Sequence, residues 1–127
     1  MQAGMLGKDY QDGEIIVRQG SMGDCMYVIQ AGEVEVLRER EDEHVRLTIL
    51  GQGDFFGEVP LFERVDRKGV VRATARAIGA AKVLTVDKKT IVRRIHQDPS
   101  LSYRILQTMS RRIQELEVEL VRLITGD

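Results

Sequence analysis

Polar and apolar residues alternate with a period of two along much of the first 90 residues. The clearest alternation lies in residues 33–36 and 45–49. A two-residue period is typical of strands that bury one face. Three further apolar runs, at residues 15–17, 26–29 and 83–86, also favour strands, although the last is less regular. Several short strands at this spacing predict a β-sandwich or a β-barrel.

Glycines separate these runs and predict turns. They stand at Gly13, Gly20, Gly23, Gly32, Gly51, Gly53 and Gly57. Residues 38–44 carry charged side chains and have no apolar face. We therefore expect them to form the solvent-exposed tip of a hairpin.

The hydrophobic period changes after Asp87. This aspartate can cap a short helix over residues 88–97, and a second helix start follows at Asp98, directly before a proline. An aspartate side chain accepts hydrogen bonds from the free N–H groups of a first turn, and proline has no N–H to leave unpaired there. Beyond that proline, neither glycine nor proline occurs before Gly126. We expect a long C-terminal helix over residues 99–125.

Six apolar residues of the long helix are spaced alternately by three and four positions. They are Leu106, Met109, Ile113, Leu116, Leu120 and Leu123. This heptad spacing predicts a seam along which two copies form a homodimer. Burial of the six side chains contributes about 9–18 kcal/mol of gross free energy, against about 4–15 kcal/mol lost on association. A second apolar stripe leaves open that one of the two packs on the chain's own barrel; it consists of Ile105, Val118, Val121 and Ile124.

The length and the cysteine content bound the class of protein. A chain of 127 residues suits one domain over residues 1–127, with a β-barrel over about 10–87. The single cysteine, Cys25, can form no intrachain disulfide, which favours a reducing compartment. No apolar run approaches the ~18 residues of a membrane span, and the N-terminus has no signal-peptide pattern. We therefore expect a cytoplasmic protein without a membrane partner.

Charge is unevenly distributed between the two halves of the chain. Residues 1–66 carry a net charge of −8 and residues 67–127 carry +7. An anionic partner would be drawn to the second half. The alternative is a solvated basic face combined with internal ion pairs.

The segment from Gly51 to Ala77 carries the residues that favour a ligand. Within it, Gly57 and Glu58 precede an apolar turn that has Pro60 near its start. Glycine allows a ligand to approach the backbone closely, and the N–H groups that begin a helical turn favour a phosphate. Glu58 does not favour a phosphate, but it can accept hydrogen bonds from a sugar hydroxyl. Taken alone, this common pattern indicates an anion site only weakly.

Several short motifs together resemble a known family. They are Gly13-Glu14-Ile15-Ile16, Gln19-Gly20, Gly23-Asp24, Met26-Tyr27-Val28-Ile29, Gly32-Glu33-Val34-Glu35-Val36 and Gly53-Asp54-Phe55-Phe56-Gly57-Glu58. From about Tyr10 to Leu123 the chain resembles the cyclic-nucleotide-binding family of the catabolite-activator and protein kinase A regulatory-subunit type. The resemblance implies a mainly β fold, an eight-stranded double-stranded β-helix (a jelly-roll-like β-roll) with a short helix and a long C-terminal helix.

The resemblance also implies a binding site for cAMP or cGMP, with no other cofactor and no metal. The phosphate-binding cassette of the family would begin at Gly57, and Glu58 would bind the ribose hydroxyl. The long helix would cover the pocket and dimerise. The residues implied at the ligand are Val36, Leu47, Thr48, Phe56, Gly57, Glu58, Val59, Val71, Arg72, Ala73 and Thr74.

One feature of the family cassette is missing from this chain. The family cassette ends in an arginine that pairs with the cyclic phosphate, and an alignment without gaps places Val71 there. Arg72 shares the strand parity of Thr74, so a regular strand would turn its side chain away from the pocket. Arg67 and Lys68, in the preceding loop, are alternative phosphate partners. Loss of one charged hydrogen bond weakens binding roughly 10- to 150-fold.

Other classes of function are less well supported by the residues. A cupin-type metal enzyme usually needs several histidines, and here only His44 and His96 occur, far apart. Cys25 follows an aspartate that disfavours its thiolate, so it is a poor candidate for a catalytic nucleophile. With neither a metal site nor an activated nucleophile indicated, we expect that the chain is not an enzyme. The arginine pairs 93–94 and 111–112 form no basic stripe with aromatic residues, so we expect no direct nucleic-acid binding. The main alternative is a degenerate module that dimerises or docks a protein without nucleotide.

Overall fold

The computed structural model describes residues 5–63 and 69–126. Its elements are β1 (Met5–Tyr10), β2 (Ile15–Val17), β3 (Met22–Gly23), β4 (Cys25–Arg40), β5 (Glu43–Leu50), β6 (Phe55–Phe56), α1 (Glu58–Glu63), β7 (Gly69–Val70), β8 (Thr74–Asp87), α2 (Lys88–Gln97) and α3 (Pro99–Thr125). The chain consists of two compact units, of which the first ends at Ile91 and the second begins at Val92. The predicted fold class, mainly antiparallel β with a long C-terminal helix, is confirmed.

The long strands β4 and β8 form the centre of the main sheet. Its order is β1-β8-β4-β5, β2 also pairs with β8 and β6 with β4, and β3 and β7 form a separate two-stranded sheet. Because residues directly opposite each other share a face of the sheet, Val34 lies beside Ala77 and Val36 beside Ala75. This face joins the hydrophobic core, whose buried members are Tyr10, Ile29, Val34, Phe56, Ala75, Ala77, Ala81 and Val83.

Gly32 does not form the predicted turn. Strand β4 continues through it, and the pairing with β8 shifts on both sides of Ala31, which marks an irregular, bulged region. Gly32 has a φ of 84°, and a β-carbon there would lie 2.3 Å from the carbonyl oxygen of Ala80. A glycine is therefore required inside this strand by conformation and by contact.

The hairpin tip is shorter than the sequence pattern predicts. Strand β4 extends to Arg40 and β5 begins at Glu43, so that the turn itself is Glu41 and Asp42. Glu41 has a positive φ of 30°. The predicted solvent exposure is correct for most of residues 38–44, and Glu39 is half-buried.

Both C-terminal helices begin at the aspartates that the sequence indicates. The backbone N–H of Thr90 donates to Oδ1 of Asp87 over 2.8 Å, before α2. Asp98 caps α3 by accepting from the N–H of Ser100, and Gly126, with a φ of 77°, ends the helix. Across the part of the chain described here, no helix combines the length and apolar character needed to cross a bilayer.

Candidate ligand-binding site

The turn from β6 into α1 is held in place by Tyr27 of β4. Tyr27 pairs with Phe56 across the strands, and the two rings stack with centroids 5.0 Å apart and planes 13° from parallel. Gly57 follows with a φ of 82°, and a β-carbon there would lie 2.9 Å from Cδ2 of Tyr27 and 3.3 Å from the carbonyl oxygen of Cys25. The backbone of this turn therefore lies directly on β4 with no room for a side chain.

Glu58 begins α1 and is 5% exposed. Two residues later, Pro60 packs against β3, where a β-carbon on Gly23 would lie 2.2 Å from the Pro60 Cβ. Burial raises the pKa of the neighbouring Tyr27 to about 12, so its phenol is neutral at physiological pH. The turn thus combines a buried carboxyl group, which can accept hydrogen bonds from hydroxyls, with a fixed glycine backbone.

A second group of predicted site residues lies on β4 and β5. Val36 is paired with Thr48 of β5 and with Ala75 of β8. The next pair, Leu37 with Arg46, skips one residue of β5, so that Leu47 is the extra residue of a β-bulge. Thr48 and Leu47 are exposed, and Val59 of α1 is exposed as well. The structure brings Val36 and Thr48 together as cross-strand neighbours.

A buried valine, Val71, occupies the position at which the family cassette has its arginine. Val71 is 7% exposed, its N–H donates to the carbonyl of Ser21, and its carbonyl accepts from the N–H of Gly20. Arg72 is exposed and Ala73 half-buried. Residues 71–73 belong to neither β7 nor β8, so strand parity does not determine the direction of Arg72.

The hydroxyl of Thr74 takes part in hydrogen bonds within the protein. It donates to Oε2 of Glu39 over 2.7 Å and accepts from the N–H of Gln19 over 2.9 Å, and Thr74 is fully buried. The hydrogen bond from Thr74 lowers the pKa of Glu39, and Arg18 acts in the same direction. The two other candidate phosphate partners, Arg67 and Lys68, lie outside the described residues.

A buried carboxylate with two arginine partners joins strands β4, β5 and β8, and no local sequence pattern predicts it. Glu35 is 5% exposed, and its two carboxylate oxygens accept from the Nε atoms of Arg46 and Arg76. The hydrogen bond from Arg46 lowers the pKa of Glu35, burial opposes this, and Arg76 adds to the lowering. Alternation with Val34 and Val36 indicates a solvated glutamate, and only the pairing of the three strands reveals its two partners.

The antiparallel β-roll followed by a long helix is the architecture of cyclic-nucleotide-binding domains. Residues 7–98 match the model of the family described as "Cyclic nucleotide-binding domain". This match covers more than half of the chain, and the chain belongs to the cyclic nucleotide-binding domain family, as the sequence motifs predicted.

The chain is similar to parts of longer proteins and spans about half of their length or less. The cAMP-dependent protein kinase type II regulatory subunit of Drosophila melanogaster is 32% identical over 119 residues, which is 94% of this chain and 29% of that subunit. A CRP-like cAMP-activated global transcriptional regulator of Mycobacterium tuberculosis is 28% identical over 94% of this chain and 52% of its own length. The crystal structure of the Thermus thermophilus catabolite activator protein matches with a TM-score of 0.80 and 26% identity, over 94% of this chain and 55% of that one.

Proposed function

We propose that this chain is a cyclic-nucleotide sensor that binds cAMP or cGMP at the turn of Gly57 and Glu58. The observation that carries the proposal is the buried Glu58 directly after a glycine whose backbone is fixed against Tyr27. Glu58 accepts a hydrogen bond from the ribose hydroxyl, and the first N–H groups of the turn face the phosphate. The further residues that line the proposed pocket are Val36, Leu47, Thr48, Phe56, Val59, Arg72 and Ala73. Thr74 lies behind them, fully buried, with its hydroxyl bonded to Glu39 and Gln19.

The phosphate of the ligand needs a partner other than an arginine at position 71. Arg72 is exposed and is not constrained by a strand register, so it is the candidate phosphate partner among the residues that the structure describes. Arg67 and Lys68 are the alternatives. Without any such cation, binding falls by roughly 10- to 150-fold compared with a site that has one. We therefore expect an affinity in the micromolar range or weaker.

Calorimetric titration with cAMP and cGMP tests this proposal. We expect saturable binding by the wild-type chain, and a loss of about 1.5–3 kcal/mol of binding free energy in Glu58→Gln, because the amide replaces a charged acceptor. Glu33→Gln is the matched control, since Glu33 is an exposed glutamate of β4. Equal affinity of Glu58→Gln and Glu33→Gln would remove Glu58 from the site.

The output of the proposed sensor is helix α3. The heptad seam of this helix forms a parallel or antiparallel homodimer, and ligand binding shifts the population of helix arrangements. In this role the domain regulates and does not catalyse, and it acts in the cytoplasm.

The alternative is a dimerisation or docking module that binds no nucleotide. Buried Val71 at the arginine position favours it, because the residue that pairs with the phosphate in the family is replaced by an apolar side chain. The absence of heat and of a thermal shift with either nucleotide at millimolar concentration would select this alternative.

A further inference from the structure

Glu35 is bound by arginines from both neighbouring strands. Arg46 of β5 donates its Nε–H to one carboxylate oxygen, and Arg76 of β8 donates to the other over 2.6 Å. The Glu35 side chain is 6% exposed, whereas the side chains of Arg46 and Arg76 are 57% and 36% exposed. This arrangement, here called the Glu35 clamp, joins three strands through one carboxylate.

The Glu35 clamp lies on the face of β4 opposite the side chains of Val34 and Val36. Successive residues of a strand point to opposite faces, and Val34 and Val36 flank Glu35. Val34 belongs to the buried core, and Val36 is paired with Thr48 and Ala75. The clamp therefore lies behind the part of β4 that carries a proposed ligand residue, and Glu35 does not share the face of that residue.

The clamp also adjoins the bulge of β5. Arg46 is paired with Leu37 and Thr48 with Val36, which leaves Leu47 as the extra residue between them. In a regular strand, Leu47 and Thr48 would point to opposite faces, and a bulge re-aims one of two such side chains. Both residues are proposed to line one pocket, so the proposed site depends on this bulge.

We propose that Glu35 is a positioning residue of the nucleotide site, which fixes Arg46 and thereby the bulge that presents Leu47 and Thr48. This inference rests on the proposed function. A slip of β5 by one residue would carry Arg46 to the other face and leave the buried carboxylate with one guanidinium partner fewer. Removal of one partner from a buried charge is unfavourable, so the clamp selects the observed register.

The test compares Glu35→Gln, Arg46→Gln and the double variant by calorimetric titration with cAMP and cGMP. We expect each single variant to bind about 10-fold more weakly, and the double variant to bind no more weakly than either single variant. Arg46→Gln changes a largely exposed side chain, so it keeps the experiment informative if Glu35→Gln does not fold. Glu33→Gln, an exposed glutamate of the same strand, should bind as the wild type does.

A second comparison separates positioning from general stability. In a Leu47→Ala background, Glu35→Gln should cause little further loss of affinity, because its effect passes through Leu47. In the ligand-free chain, Glu35→Gln should speed amide hydrogen exchange at residues 45–50 about 10-fold. Unchanged exchange there, or equal losses with and without Leu47, would overturn the inference. Absence of wild-type binding would instead overturn the proposed function, with the exchange result still deciding the role of the clamp in the bulge.

Discussion

Position 57 favours glycine for two independent reasons. Its φ of 82° is a conformation that residues with a side chain rarely adopt, and a β-carbon would lie 2.9 Å from the Tyr27 ring. Gly53 has a similar φ of 88° but open space where its β-carbon would be. A comparison of substitutions at the two glycines therefore separates the free energy of backbone strain from that of the contact with Tyr27.

Substitution of these two glycines by alanine should have different effects on stability. We expect Gly53→Ala to lower the free energy of unfolding by about 1–2 kcal/mol, the cost of a left-handed backbone conformation. Gly57→Ala should cost about 1–3 kcal/mol more, because Tyr27 and Phe56 must move to admit the methyl group. Urea unfolding of both variants measures the difference. Equal losses would show that the Tyr27 contact does not constrain the turn.

Single residues could be predicted from the sequence where their partners are close along the chain. Gly57 and Glu58 are adjacent, so their pattern is visible without a structure. The partners of Glu35 lie 11 and 41 residues away, and no local pattern indicates that its charge is buried. The same holds for Thr74, whose hydroxyl binds Glu39 at a separation of 35 residues.

At the scale of elements, helix ends were predictable and strand ends were not. The capping aspartates and Gly126 act within one turn, so local residues determine where α2 and α3 begin and where α3 ends. Strand β4 is 16 residues long and crosses Gly32, because pairing with β8 continues on both sides of that bulged region. A glycine in a bulge and a glycine in a turn look alike in sequence.

Helix α3 carries its predicted seam on the surface of the chain. Leu106, Leu116 and Leu123 are 64%, 69% and 74% exposed, and the described part of the helix contains no buried residue. An apolar stripe with heptad spacing is stabilised when a second helix covers it. The exposed seam of α3 is therefore the surface through which the proposed homodimer would form, and substitutions in it test that homodimer.

Disruption of the seam should give a monomer without loss of the fold. We expect light scattering to report a dimer for the wild-type chain at tens of micromolar and a monomer for Leu116→Lys. Burial of an unpaired ammonium group in the seam is unfavourable, because the charge loses its hydration. Gln114→Lys is the control, since two residues along a helix correspond to a rotation of about 200°. A wild-type monomer at this concentration would contradict the dimer.

At the scale of the whole molecule, the proposed sensor requires communication between two compact units. The ligand turn belongs to the unit that ends at Ile91, and the seam belongs to the unit that begins at Val92. A ligand shifts such an equilibrium only by its difference in affinity for the two states. The family and the fold could be predicted from local motifs, whereas no sequence motif indicates whether a ligand and helix α3 are coupled.

Hydrogen exchange in α3 measures the coupling directly. We expect saturating cAMP or cGMP to change amide exchange across residues 106–123 in the wild-type chain and to change it less in Glu58→Gln at the same ligand concentration, in proportion to the lower occupancy of the variant. Identical exchange in α3 with and without bound nucleotide would show that the ligand and the helix are independent.

The most direct test of the central claim is an NMR titration of the ¹⁵N-labelled chain with cAMP and, separately, cGMP, with the non-cyclic 5′-AMP as a control ligand. The account predicts saturable shifts that are largest at the amides of residues 56–59 and extend to Val36, Leu47 and Thr48, with little response to 5′-AMP. The absence of shifts at millimolar nucleotide, or saturable shifts confined to other residues, would contradict it.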